Sequence, residues 1–244
     1  MRASLICGNW KMHKDPAETT SFFGTFRALV EHSRCEIVIC PPFLDVENAV
    51  DAARGTKIQI GAQDLYWASE GSFTGEVSGE MIKASGCTHV IVGHSERRRD
   101  FGDTDETVLR KTVAALDAGL TPIVCVGERD EKNVAAVLTE QFRGGIAGLS
   151  NERFAGIVIG YEPVWAIGAG KTATPEEAAG AHRLIRGLAG ARFGAQAADS
   201  LRILYGGSVK AANAKALRAE PEIDGFLVGG ASLDPVSFAA LANL

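Results

Sequence analysis

The chain has 244 residues, 46% of them hydrophobic, and a formal net charge of −5. That length fills one large core, and no basic stripe offers itself to nucleic acid, since the densest positive cluster is Arg97, Arg98 and Arg99. Five cysteines, an odd number without a C-x-x-C pair, argue against a disulfide framework or a zinc site, and no apolar run nears the roughly 18 residues of a membrane span.

Leu5-Ile6-Cys7 is the first of eight short apolar runs. Asn9 and Lys11 follow two apart, the spacing that turns two side chains of an extended segment the same way. Asp15-Pro16-Ala17-Glu18 is a helix start: a capping Asp, Pro at the first helical position, and Glu three residues after the cap. Phe22, Phe23, Phe26, Leu29 and Val30 continue it at helical spacing. The second and third runs are Ile37-Val38-Ile39-Cys40 and Ile58-Gln59-Ile60, and Phe73 then stands on a loop where an exposed ring hints at a partner surface.

The fourth run, Val90-Ile91-Val92, leads into Gly93-His94-Ser95-Glu96. Val108, Leu109, Val113 and Leu116 mark a helix that stops near Gly119. Ile123-Val124-Cys125-Val126 precedes Glu128, and Ile157-Val158-Ile159 precedes Glu162 and Pro163. Thr174-Pro175-Glu176-Glu177 repeats the helix start, with Ala178, Ala181, Ile185 and Leu188 as its stripe. Ile203-Leu204-Tyr205 ends in Gly206-Gly207-Ser208, Phe226-Leu227-Val228 ends in Gly229-Gly230, and Asp234-Pro235 opens the last helix.

Most runs lack polar alternation, which fits strands covered on both faces. Their alternation with helices implies an α/β chain with a parallel sheet. Eight units predict one (β/α)8 barrel domain over residues 1–244, with no linker. A doubly wound open sheet is the alternative, but it usually has fewer strands, and no G-x-G-x-x-G follows the first run. The N-terminal apolar run is too short for a signal-peptide core, so a cytoplasmic protein is expected.

In such barrels the site lies at the C-terminal strand ends, where the polar residues collect. Glu162 is a candidate general base whose partial desolvation raises its pKa toward working pH; taken alone it reads as well as a solvated acid. His94 is a proton donor or electrophile, or a core histidine. His13, His32, His89 and His182 read as structural. Lys11 draws an anionic substrate, or is a surface lysine. Pro163-Val164-Trp165-Ala166-Ile167-Gly168-Ala169-Gly170-Lys171 is apolar, then small, and reads as a lid that excludes water, or as a core segment around Trp165. The Gly206–Ser208 and Gly229–Gly230 backbones form anion nests suited to phosphate, or simple turns. No metal-ligand spacing and no nicotinamide or flavin fingerprint appears, so no cofactor is expected. Acid, base, cation, lid and phosphate grip together suit proton abstraction beside a carbonyl.

Five strings closely resemble the triosephosphate isomerase family: Gly8-Asn9-Trp10-Lys11, Gly93-His94-Ser95-Glu96-Arg97-Arg98, Tyr161-Glu162-Pro163-Val164-Trp165-Ala166-Ile167-Gly168, Tyr205-Gly206-Gly207-Ser208, and Asp224-Gly225-Phe226-Leu227-Val228-Gly229-Gly230-Ala231-Ser232. They span nearly the whole chain in the family's order. The resemblance implies interconversion of dihydroxyacetone phosphate and glyceraldehyde 3-phosphate, a small phosphorylated sugar being the substrate. It implies Glu162 as the proton-shuttling base and neutral His94 as the group polarising the carbonyl. Asn9 and Lys11 would stabilise developing charge, Glu96 would order the Lys11 side, and Ser208, Gly229, Gly230 and Gly168 would hold phosphate. It also implies a glycolytic role and a homodimer in which Phe73, Thr74, Gly75 and Glu76 enter the partner, with no nucleic acid or membrane. Asp64 and Asp103 depart from the family's usual Asn and Glu, putting interface stability and fine packing in question, and residues 129–141 are compressed. The rival readings are a tetrose phosphate isomerase and a non-catalytic phosphate-binding barrel.

Overall fold

A computed structural model describes residues 2–167 and 172–244. Eight parallel strands close in sequence order: β1 Leu5–Asn9, β2 Glu36–Cys40, β3 Ile58–Ala62, β4 His89–Val92, β5 Thr121–Val126, β6 Val158–Tyr161, β7 Arg202–Tyr205 and β8 Gly225–Val228. The expected (β/α)8 barrel is the architecture found, with β8 pairing back onto β1 from Leu5↔Gly225 to Gly8↔Val228. Of the eight apolar runs only Ile157 falls outside a strand, just ahead of β6.

The missing polar alternation has a direct cause. Leu5, Cys7, Val38, Cys40, Ile91, Ile123, Cys125, Leu204 and Leu227 fill the barrel interior. Their strand neighbours Ile6, Ile37, Ile39, Val90, Val92, Val124, Val126 and Ile203 pack outward against helices. Both faces leave water, and each large aliphatic side chain so buried contributes roughly 1.5–3 kcal/mol. The five cysteines are free thiols, and Cys7, Cys40 and Cys125 lie in that interior.

The helix signals form as read. Asp15 Oδ1 accepts the N–H groups of Ala17 and Glu18 while Glu18 Oε2 accepts that of Asp15, opening helix Pro16–Leu29. Thr174 and Glu177 repeat this at helix Pro175–Phe193, and Asp234 caps helix Pro235–Ala242. Such caps contribute about 1 kcal/mol each. Helix Asp105–Asp117 stops before Gly119, whose φ of +74° suits a residue without Cβ. Residues 129–141, short as they are, carry most of helix Val134–Gly145. No helix among the described residues is long and apolar enough to cross a membrane.

Because every strand points the same way, residues just beyond the strand ends gather on one face.

Candidate active site

Asn9 ends β1, His94 lies two residues past β4, Glu162 follows β6, and Ser208, Gly229 and Gly230 follow β7 and β8. With Lys11 and Ile167 they line one cavity of about 350 Å³. A larger cavity of about 630 Å³ lies beside the starts of β2 and β3, at the opposite end of the strands, and its Glu31 and His32 are exposed to solvent. Chemistry, not size, selects the former.

Lys11 has φ +53°, an uncommon left-handed conformation for a residue with Cβ. Two side chains hold it there. Asn9 Oδ1 accepts the Lys11 backbone N–H at 3.0 Å, and Gln63 Nε2 donates to the Lys11 carbonyl at 2.8 Å and to that of Cys40 at 2.9 Å. Lys11 Nζ reaches Glu96 Oε1 at 2.6 Å, so Glu96 does stand beside the ammonium. The side chain crosses Gly229, where a Cβ would lie 3.5 Å from Lys11 Cε. Cation and glycine nest therefore face one another.

Glu162 is 2% exposed, and each carboxylate oxygen is held. Oε1 lies 2.9 Å from His94 Nε2 and accepts from the Ser95 hydroxyl at 3.2 Å, while Oε2 accepts the Ser95 N–H at 3.0 Å. Burial, the largest influence, pushes this carboxyl up, but His94 and the Ser95 donors together outweigh it and hold it below the usual value. The expectation of a raised Glu162 thus fails in this arrangement, because desolvation was weighed there without the donors that face the carboxylate.

His94 Nδ1 accepts the Glu96 N–H at 3.2 Å as the side-chain cap of helix Ser95–Asp100. Its one proton therefore sits on Nε2, pointing at Glu162, and the imidazole is neutral. Burial lowers His94 and the Glu162 carboxylate more than offsets it, so its affinity for a second proton is raised. Accepting that proton would cost the Nδ1 bond to Glu96.

The segment after Glu162 is anchored on Glu128. Glu128 Oε1 accepts from Trp165 Nε1 at 2.7 Å and from the Tyr161 hydroxyl at 2.9 Å, and its carbonyl accepts the Val164 N–H at 2.9 Å. Val164–Ala166 is a 3-10 turn that follows Pro163. Gly168, Ala169, Gly170 and Lys171 lie outside the described residues, and with them the expected hinge and the phosphate contact of Gly168. Gly206 has no room for a side chain: a Cβ would meet Glu162 Cγ at 3.0 Å. Gly230 opens a short 3-10 turn, Gly230–Leu233, and among the described residues no protein acceptor takes the N–H of Gly229 or Gly230. Trp10 Nε1 donates to Ser232 O at 3.0 Å, tying the Lys11 segment to this loop.

Four groups escaped the sequence reading as contributors. Ser95 and Glu128 were visible at the rim but carried no assigned role, and Gln63 and Gln141 carried no signal. Asp64 and Asp103, the two departures, converge on one buried cation: Lys111 Nζ lies 2.8 and 3.0 Å from the Asp64 oxygens and 3.0 and 3.2 Å from those of Asp103. Arg97 Nε stands 2.8 Å from Asp64 Oδ2. Phe73, Thr74, Gly75 and Glu76 form an exposed loop whose Phe73 ring packs 4.4 Å from that of Tyr66. His89 and His182 are buried away from the cavity, and His13 and His32 are exposed. No group of three or more metal-ligating side chains comes together among the described residues.

The family model described as triosephosphate isomerase matches residues 4–244. A protein of Solibacter usitatus (strain Ellin6076) named triosephosphate isomerase is 64% identical over 248 aligned positions, covering all of both chains. One of Moorella thermoacetica (strain ATCC 39073 / JCM 9320) with the same name is 50% identical over all of this chain and 99% of its own, and one of Geotalea uraniireducens (strain Rf4) is 48% identical with the same coverage. Barrel, rim residues and full-length similarity agree, and this chain belongs to the triosephosphate isomerase family.

Proposed function

We propose that the chain interconverts dihydroxyacetone phosphate and glyceraldehyde 3-phosphate through an enediolate, with Glu162 as the base and His94 as the polarising donor. The observation that carries this reading is the 2.9 Å contact between Glu162 Oε1 and His94 Nε2 at the wall of a cavity shared with Lys11 and the glycine nest. A base, a neutral donor, a cation and an anion site converge within one small volume.

The geometry suggests the order of events. Before substrate enters, the carboxylate is held by His94 and Ser95. A carbonyl oxygen placed against His94 Nε2 competes for that proton and releases Glu162. The freed carboxylate remains buried but has lost its donors, so its proton affinity rises as it meets the substrate carbon. Removal of a proton from one carbon leaves negative charge on the former carbonyl oxygen, which His94 and Lys11 stabilise; His94 gives that oxygen its Nε2 proton and takes the one from the neighbouring hydroxyl, and Glu162 returns the carbon proton to the neighbouring carbon. Ser208, Gly229 and Gly230 hold the phosphate, and the lid from Pro163 onward excludes water that would let the enediolate lose it.

A second copy completes the site in this reading. Met12, Phe43, Leu44 and Phe101 are exposed apolar side chains, and Met12, Phe43 and Phe101 border a cavity of about 310 Å³ that also touches Asn9, Lys11 and Glu96. The loop of Phe73, Thr74, Gly75 and Glu76 from a partner supplies an occupant for it.

A coupled assay with glyceraldehyde 3-phosphate tests the function. The expected kcat/KM approaches the diffusional ceiling of about 10⁸–10⁹ M⁻¹s⁻¹, and Glu162→Gln collapses it. Slow turnover of the triose beside faster turnover of a four-carbon phosphate would overturn the substrate assignment.

A further inference from the structure

Gln141 lies on helix Val134–Gly145, away from the cavity, yet its side-chain amide meets both backbone polar groups of one residue. Its Oε1 accepts the Gly127 N–H at 2.7 Å, and its Nε2 donates to the Gly127 carbonyl at 3.0 Å. The side-chain amide of Gln carries a donor and an acceptor side by side, which matches the N–H and C=O that flank a single Cα.

Gly127 is the middle of three residues on which the base and the lid segment rest. Val126 O accepts the Glu162 N–H at 2.8 Å, and Glu128 O accepts that of Val164 at 2.9 Å. Between them the Glu162 carbonyl lies so close over Gly127 that a Cβ there would stand 1.8 Å from its oxygen. The next side chain, Glu128, holds Trp165. Nothing but hydrogen covers the Glu162 side of Gly127, and Gln141 satisfies both polar groups of this residue. Without that amide, a part-buried N–H and C=O lose their partners, and the peptide has reason to turn toward water.

We infer that Gln141 is a positioning residue for the isomerisation: its amide fixes the two peptide groups that flank Gly127, and through them the Glu162 backbone and the Glu128 anchor of the lid. The inference rests on Glu162 being the base. Gln141 touches no substrate and acts through displacement, where a misplacement of about 1 Å costs on the order of 100-fold in rate.

The test uses Gln141→Met, which keeps length without the amide, and Gln141→Glu, which keeps the acceptor but donates only when protonated. With glyceraldehyde 3-phosphate, Gln141→Met is expected to lower kcat about 10- to 100-fold. Inhibition by inorganic phosphate should stay within twofold, because neither Gln141 nor Gly127 lines the cavity that holds the glycine loops after β7 and β8. For Gln141→Glu, kcat relative to wild type should rise as pH falls from 8 to 5.5, since a protonated carboxyl restores the donor to Gly127 O. Gln141→Glu keeps one of the two bonds and decides the matter if the methionine variant does not fold. A kcat ratio for Gln141→Glu that is flat with pH, or kcat within twofold of wild type in either variant at pH 8, overturns the inference. So does a loss in Gln141→Met matched by an equal weakening of phosphate inhibition. Glu162→Asp is assayed alongside: if it turns over like wild type, the base assignment fails whatever Gln141 does.

Discussion

The Trp165 indole N–H donates to Glu128 Oε1 at 2.7 Å, and Glu128 is completely buried. Burial, the larger influence, raises this carboxyl, and the donors Trp165 and Tyr161 oppose it. Its second oxygen, Oε2, has no partner among the described residues. An acid kept dry and only half satisfied is a poor resting place, and the Val164–Ala166 turn is the element that holds it so. Each partner stabilises the other only while the segment after Pro163 sits against β5.

Trp165→Phe leaves Glu128 with Tyr161 as its one remaining side-chain donor. The expected result is a loss of about 1–3 kcal/mol in unfolding free energy at pH 7, the cost of an orphaned charged acceptor. Urea midpoints measure it. The loss should shrink in a Glu128→Gln background, where no charge is stranded; an undiminished loss would point to ring packing instead.

Glu162→Asp draws the carboxylate back by one methylene, about 1 Å, from the reach the cavity gives it. Turnover of glyceraldehyde 3-phosphate should fall on the order of 100-fold with KM changed by less than about threefold. The phosphate grip is untouched by the substitution, so a KM-dominated effect would mean that Glu162 binds rather than abstracts.

The barrel was legible in the sequence because both strand faces are apolar and each run stops at a rim residue such as Glu162 or His94. The two capping boxes were legible because Asp15, Glu18, Thr174 and Glu177 act within one turn of chain. Ser95, Gln63 and Gln141 were not, because each meets a partner set by the fold: Ser95 the Glu162 carboxylate, Gln141 the Gly127 backbone, Gln63 the Lys11 carbonyl. Spacing records periodicity along an element and carries nothing of such distances. The Glu162 pKa was misjudged for the same reason. Burial shows in an apolar run, whereas the Ser95 donors show only once β4 and β6 are brought together. Asp64 and Asp103 looked like defects taken singly, and make sense only around Lys111.

His182 is fully buried, its Nδ1 3.0 Å from Glu222 O and its Nε2 without a partner among the described residues. The carbonyl fixes the proton on Nδ1, so a second proton would place a charge on the buried Nε2. Burial lowers His182 to about 4, and the same cause lowers His89 to about 4. Between that value and the ordinary 6.5 the unfolded chain binds protons that the native chain refuses. Stability contributed by the two neutral histidines is therefore present above pH 6.5 and is lost as pH falls toward 4. The loss should reach about 3 kcal/mol for each histidine. Urea midpoints taken from pH 7.5 to 4.5 measure it, and His182→Gln should remove close to half of the dependence in that window. A variant with the full wild-type slope would place the linked protons elsewhere.

Lys111 is 3% exposed and its ammonium is shared by Asp64 and Asp103, with Arg97 closing the group to two positive and two negative charges. Burial, the first influence, raises Asp64, and Lys111 and Arg97 oppose it. Lys111→Met keeps the apolar stem but leaves two carboxylates facing one another, with Arg97 alone to answer them. Removing one partner of a buried pair typically costs about 3–5 kcal/mol, and thermal unfolding at pH 7 should show a loss of that size. Adding Asp64→Asn removes one of the stranded charges and leaves Asp103 to Arg97, whose Nε is 3.5 Å away. The double variant should recover a large share of what the single one loses. If the two substitutions instead add, the four charges act independently, and Asp64 is no more than an ornament of the loop after β3. The recovery would show that the extra charge at Asp64 and the shortened carboxylate at Asp103 work as one unit around Lys111.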